Sequence, residues 1–242
     1  MPDIFPSRQV KQHLAALKAA GLDFVPATPP VPIVIHHVES VAEPVADAHD
    51  PEAQRVALSL LANEVAACNR CKELFSTRTQ TVFGVGQLSP DLCFVGEAPG
   101  ADEDRQGEPF VGAAGQLLNK NIVAMGLTRD EVYICNTLKC RPPQNRTPTP
   151  DECTNCRPFF ERQIELVAPK MICCLGATAA KNVLRSTQGI NRLRGRWLDY
   201  NGIPVMCTFH PAALLRDPAL KRDTWDDMKL ILKQLGRPIP SR

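Results

Sequence analysis

The stretch Gly96-Glu97-Ala98-Pro99-Gly100-Ala101-Asp102-Glu103-Asp104 combines a flexible glycine turn, a Pro-Gly step and three acids in four residues. It follows the apolar run Asp91-Leu92-Cys93-Phe94-Val95, which reads as a buried strand. A strand that stops this way delivers backbone N–H groups and carboxylates to one point. In an open α/β sheet that point is the carboxyl edge, where ligands bind. Two more polar residues stand where apolar runs stop: Asn136 and His210. Each alone reads as a turn residue, a cap or a surface acid. Together they mark a site, and His210 is the only histidine after His49.

The elements that must position these residues alternate. Apolar strand candidates cover residues 92–96, 132–136, 171–175 and 205–209, and helical patterns cover 113–125, 150–167, 177–185 and 221–235. Continuous apolar strands separated by helices predict a parallel sheet with helices on both faces. The compact domain is expected over 51–242, opening with a helix from Pro51 to about Ala67, since proline suits a first helical turn. Residues 1–50 read as an extension. A short helix over 7–20 is closed by Gly21, and a stretch with Pro26, Pro29, Pro30, Pro32 and Pro44 then reads as an extended linker.

With 242 residues, 44% hydrophobic, the chain can bury a core of ordinary domain size. The net charge of +2 announces no nucleic-acid partner in bulk, so any basic surface must be local. No apolar run is long enough for a membrane span, and the N-terminus carries no secretory pattern. A cytoplasmic monomer is the expectation. Ten cysteines then favour buried thiols or metal over disulfides. Cys93, Cys135, Cys173, Cys174 and Cys207 lie in strand-like runs and read as small hydrophobes. Cys68, Cys71, Cys140, Cys153 and Cys156 lie in polar sequence and are the ligand candidates.

Cys68 and Cys71 form a Cys-x₂-Cys pair, and Cys140 and Cys156 flank a proline-braced loop. Four thiolates so placed suit zinc or a [4Fe–4S] cluster, and spacing does not separate the two. Cys153 and Cys156 form a second Cys-x₂-Cys pair, so a zinc site of Cys68, Cys71, Cys153 and Cys156 competes on spacing alone. Arg192, Arg194 and Arg196 precede Trp197, Arg141 and Arg146 lie in the loop after Cys140, and Lys221 and Arg222 open the last helix. Each group reads as a solvated face or as a phosphate-binding cluster. Phe110, in a Gly/Pro-rich turn, reads as core or as a face for a planar ring.

These blocks resemble the family 4 uracil-DNA glycosylases. The resemblance runs from about residue 55 to 236 and rests on Gly96-Glu97-Ala98-Pro99-Gly100, Gly107-Glu108-Pro109-Phe110-Val111-Gly112, the run from Cys135-Asn136-Thr137-Leu138-Lys139-Cys140 to Arg146, and His210-Pro211-Ala212-Ala213-Leu214-Leu215-Arg216. It implies a three-layer α/β/α sandwich with a central four-stranded parallel sheet. It also implies a structural [4Fe–4S] cluster on Cys68, Cys71, Cys140 and Cys156, with Cys153 a bystander. The implied activity is hydrolysis of the N-glycosidic bond of uracil flipped out of single- or double-stranded DNA, the first step of base excision repair.

In the family pattern Glu97, Ala98, Pro99, Glu103, Phe110, Asn136 and His210 bind the substrate. Phe110 stacks on uracil, Asn136 reads N3–H and O4, and His210 donates to O2. Better-known relatives orient the attacking water with an aspartate where this chain has Ala98, so that work falls to Glu97 or Glu103, or electrostatics alone suffices. Arg141, Arg146, Arg192 and Arg194 are candidate DNA contacts, and Leu214, with Leu215 second, is the candidate wedge. The loop after Asn136 lacks histidine, which implies turnover rather than covalent trapping. The extension offers a tether to a repair or replication factor. A non-catalytic, metal-stabilised DNA-binding module and a redox protein are the competing readings.

Overall fold

The computed structural model describes residues 51–240 together with Lys18, Ala19 and Gly21. The chain divides into two units, Met1–Pro44 and Val45–Arg242, and the second is described below. The helix expected over 7–20, apart from Lys18 and Ala19, and the proline-rich segment lie outside the described residues.

Helix α1 (Pro51–Ala67) begins on its proline with Glu52 in the first turn, and buries Leu58, Leu61 and Val65 along one face. The short α2 (Lys72–Thr77) follows directly from Cys71. Then come β1 (Val85–Gly86), β2 (Cys93–Gly96), α3 (Ala101–Gln106), α4 (Ala113–Ala124), β3 (Tyr133–Asn136) and α5 (Pro150–Val167). The chain continues through β4 (Ile172–Leu175), α6 (Ala177–Leu184), α7 (Ile190–Leu193), β5 (Trp197–Tyr200), β6 (Ile203–Thr208), α8 (Pro211–Arg216) and α9 (Leu220–Gln234). Helix α5 starts on a reciprocal cap, in which Thr149 accepts from the Glu152 N–H and the Glu152 carboxylate accepts from the Thr149 N–H.

The sheet order is β1-β3-β2-β4-β6-β5. The four expected strands form its parallel centre, β3-β2-β4-β6. The expected central four-stranded parallel sheet is present, and β1 and β5 extend it with an antiparallel strand at each edge. After the edge strand β1, the chain starts its parallel strands in the middle at β2, moves to β3 on one side, then crosses to β4 and β6 on the other. Its winding therefore reverses beside β2, and the crevice at such a reversal is where doubly wound sheets bind ligands.

The central strands alternate between two cores, as a period of two requires. Cys93, Val95, Tyr133, Cys135, Ile172, Cys174, Val205 and Cys207 face α5, α6 and α7. Phe94, Ile134, Cys173, Leu175 and Met206 face α4 and α9. The five strand cysteines are fully buried and free, filling space as small hydrophobes.

Candidate active site

Three strand ends meet at the carboxyl edge. Gly96 and Asn136 are paired across β2 and β3, and His210 follows β6 as the cap of α8. Gly176, after β4, adopts φ +91, and a Cβ there would stand 3.0 Å from His210 Cβ, so glycine leaves room for the histidine to lie across β4. Phe110 and His210 rings lie 5.7 Å apart, tilted by 34°. A Cβ on Gly96 would stand 2.6 Å from Phe110 Cζ and would collide with Asn136 Oδ1. The aromatic ring and the amide therefore converge over the bare backbone of Gly96.

The amide of Asn136 is buried, and its Oδ1 is the one buried side-chain oxygen or nitrogen without a hydrogen-bond partner among the described residues. An orphaned acceptor in the interior costs about 1–3 kcal/mol, so such an atom calls for a ligand. Phe110 holds φ +55, a left-handed conformation rare for an aromatic residue. Glu103 holds that turn in place: its carboxylate accepts from the N–H groups of Gly100, Val111 and Gly112 at 2.9–3.1 Å. Arg129 adds a bond to the carbonyl of Pro109 at 2.6 Å. Asp104 in turn accepts from Thr79 N–H, tying the acidic loop to the segment after α2.

His210 Nδ1 accepts from the Ala212 N–H at 3.1 Å, which places the proton of the neutral ring on Nε2. Burial first, with the Arg216 charge second, holds its pKa down at about 4. At neutral pH the ring is an uncharged donor facing Phe110. Glu97 is half-buried; its carbonyl accepts from Thr137 Oγ1 at 2.8 Å and Leu138 N–H at 3.0 Å, while its carboxylate makes no hydrogen bond or ion pair among the described residues, although its charge reaches Cys153. Of the four acids in the loop, Glu103, Asp104 and Asp102 hold protein partners, the last through Arg105. Ala98 is half-buried and Pro99 buried beside it.

The structure also sorts the cysteines. Cys68, Cys71, Cys140 and Cys156 line one small cavity, together with Arg78, Leu138 and Asn155. Cys153 lies elsewhere, against Thr137, Arg157, Phe160 and Asn182, and its Sγ accepts from Asn182 at 3.3 Å. Three of the four cavity sulfurs already have N–H donors: Arg78 to Cys140 at 3.0 Å, Lys139 N–H to Cys156 at 3.3 Å and Asn155 to Cys71 at 3.5 Å. Burial pushes the thiols of Cys71 and Cys140 up, and that of Cys156 up to about 12. A cationic centre would reverse that preference. Among the described residues no three His, Cys, Asp or Glu form a set that could hold a single metal ion. Four thiols around a cavity, three of them with N–H donors to their sulfurs, fit an all-cysteine iron–sulfur cluster.

The basic side chains divide. Arg146 is committed to Glu152 through two bonds and to Glu73, bracing the cysteine loop against α2. Arg194 is committed to Asp227, which also accepts from Thr208, so this pair ties the end of β6 to α9. Neither presents the free guanidinium expected for a phosphate. Arg192 stands exposed on α7, and Arg141 is half-buried and bonded to Asn145. The two wedge candidates differ in exposure. Leu214 is only 2% exposed, packed inside α8, while Leu215 points outward at 50%. Sequence reasoning also passed over Arg78 and Lys139, although Lys139 sits between Asn136 and Cys140 and was thereby marked.

A buried aromatic ring, an unpaired amide oxygen and a neutral imidazole are gathered where a doubly wound sheet reverses, and these are the groups that would recognise a flat ring with hydrogen-bonding edges. Residues 83–229 match the uracil DNA glycosylase superfamily, and the chain belongs to it. It is similar to the Type-4 uracil-DNA glycosylase of Archaeoglobus fulgidus, 41% identical over 75% of this chain and 94% of that protein. The proteins of the same name from Sulfurisphaera tokodaii and Thermotoga maritima are 43% and 42% identical, over 72% and 71% of this chain and 83% and 91% of theirs. No helix among the described residues is long and apolar enough to cross a membrane.

Proposed function

We propose that this protein excises uracil from DNA: a uracil everted from the helix enters the pocket, and its N-glycosidic bond is hydrolysed to release the free base. The orphaned Oδ1 of Asn136 carries this reading. It lacks a donor, and the N3–H of uracil supplies one. Cytosine presents an acceptor at that position and would bury two lone pairs against each other, so it is rejected. Phe110 stacks on the ring.

As the bond to the sugar breaks, negative charge grows on the uracil oxygens. The Nε2–H of His210 donates there without first having to lose or gain a proton at neutral pH. One such preorganised donor is worth about 3–4 kcal/mol of barrier. The sugar turns cationic as the base departs. Glu103 is already occupied three times over, which leaves the unpartnered carboxylate of Glu97 as the candidate to hold the attacking water. Glu103 then acts as the clamp that sets Phe110.

Cys68, Cys71, Cys140 and Cys156 would hold a [4Fe–4S] cluster. Bound there, it would cross-link α1, α2 and α5 to the loop after Asn136, and glycosidic hydrolysis needs no electron from it. DNA would run over Arg141 and Arg192, with Leu215 of α8 entering the gap left by the base. The protein acts as a cytoplasmic monomer in this account, with residues 1–50 available as a tether to a repair or replication partner.

A labelled oligonucleotide with one uracil, incubated with purified protein of measured iron content, separates the readings. Free uracil and an abasic strand support the glycosylase. Iron and DNA binding with no released base would leave only the DNA-binding module, and reversible cluster electrochemistry without base release would leave the redox protein.

A further inference from the structure

Lys139 is 1% exposed, a rare position for a lysine. Its Nζ meets three neutral oxygens, one for each N–H of an ammonium: the carbonyl of Phe83 at 3.1 Å, the carbonyl of Asn136 at 2.7 Å, and Oε1 of Gln163. The rings of Phe83 and Phe160 stand 5.8 and 5.9 Å from it. Gln163 Nε2 donates to the Phe83 carbonyl and to Tyr133 Oη, both at 2.9 Å, which fixes the amide with its oxygen towards Lys139. Gly84 makes the space, since a Cβ there would stand 2.9 Å from both Gln163 Nε2 and Tyr133 Oη. The main chain of Lys139 is equally occupied: its N–H donates to Cys156 Sγ and its carbonyl accepts from Val82 N–H at 2.8 Å.

A lysine caged by neutral oxygens gives up much hydration for modest return, and an apolar chain of like length would fill the space more cheaply. Its retention at this point asks for positional work. The residue grips the peptide carbonyl of Asn136 on one side and a cluster-cavity sulfur on the other. We propose that Lys139 is a positioning residue for base recognition, locking the Asn136 peptide so that its unpaired amide oxygen faces uracil, and tying that register to Cys156. This rests on the uracil reading above.

The test is Lys139→Met, with three readouts: the dissociation constant for free uracil, the ratio of uracil to cytosine excision, and iron per chain with its visible absorption. Uracil affinity should fall by about tenfold, the size expected for one lost charge-assisted bond. Selectivity for uracil should narrow, and iron content should hold. Gln163→Met, which removes one acceptor and keeps the lysine, should weaken uracil binding in the same direction by a smaller factor. Uracil affinity equal to wild type in folded Lys139→Met overturns the inference, including where iron is lost. If Lys139→Met does not fold, unchanged affinity in Gln163→Met overturns it instead. A wild-type protein that neither binds nor releases uracil overturns both this inference and the function beneath it.

Discussion

Gly96→Ala places one methyl group at the centre of the proposed pocket. The added carbon would stand 2.6 and 2.8 Å from two carbons of the Phe110 ring and would overlap Asn136 Oδ1. Ordinary contact begins near 3.4 Å, so the ring must retreat by 0.6 to 0.8 Å (3.4 − 2.8 and 3.4 − 2.6). The amide must turn as well. Phe110 cannot slide freely, because Glu103 pins Val111 and Gly112 immediately after it. Overpacking of this kind costs about 1–3 kcal/mol of stability, or roughly 2–4 °C of Tm per kcal/mol in a domain of this size. Displacing recognition groups by about 1 Å costs on the order of a hundredfold in rate. Base release under single-turnover conditions should therefore fall by about a hundredfold while circular dichroism shows a folded protein. Gly189→Ala is the control: its Cβ meets nothing within 4 Å and its φ is an ordinary −74°, so activity should not change. A Gly96→Ala protein with the wild-type rate would refute the convergence of ring and amide over this glycine.

Other outcomes follow from the same geometry. His210→Ala should lower base release by about two to three orders of magnitude with little change in DNA affinity, measured by single-turnover rates and fluorescence anisotropy. Because the pKa of His210 lies near 4 in the folded protein, its neutral form persists above that value. Its contribution to activity and stability should be intact above pH 6.5 and fade only as pH falls towards 4; rate and Tm against pH read this, and a rate that halves near pH 6.5 would contradict it. Leu215→Ala should slow release from duplex several-fold and leave single-stranded substrate nearly unaffected, as the wedge role requires. Cys140→Ala should lose iron and its visible absorption, whereas Cys153→Ala should keep both, by elemental analysis and absorption spectroscopy.

The four parallel strands were legible because each is buried on both faces and reads as an unbroken apolar run. The edge strands were not. Val85–Gly86 is two residues long, and Trp197–Tyr200 is mixed in polarity because an edge is half-solvated. At the site, Gly96, Asn136 and His210 announced themselves by standing where apolar runs stop. Their neighbours' roles depended on partners far along the chain. Arg194 is taken by Asp227 and Arg146 by Glu73, pairings that local charge patterns do not reveal. Glu103 looked chemical beside two other acids, yet its oxygens reach forward to Val111 and Gly112. Leu214 and Leu215 are adjacent in sequence, and only the packing of α8 decides which is buried. Cys153 shares its spacing with Cys156, and the fold turns it away from the cavity.

The central claim is that one flat base sits on Phe110 with its edge read by Asn136 and His210. A crystal structure of the protein with free uracil tests it most directly. The account predicts the ring stacked on Phe110, its N3–H on Asn136 Oδ1 and its O2 at His210 Nε2. Uracil bound elsewhere, with the Asn136 oxygen still lacking a donor, would contradict it.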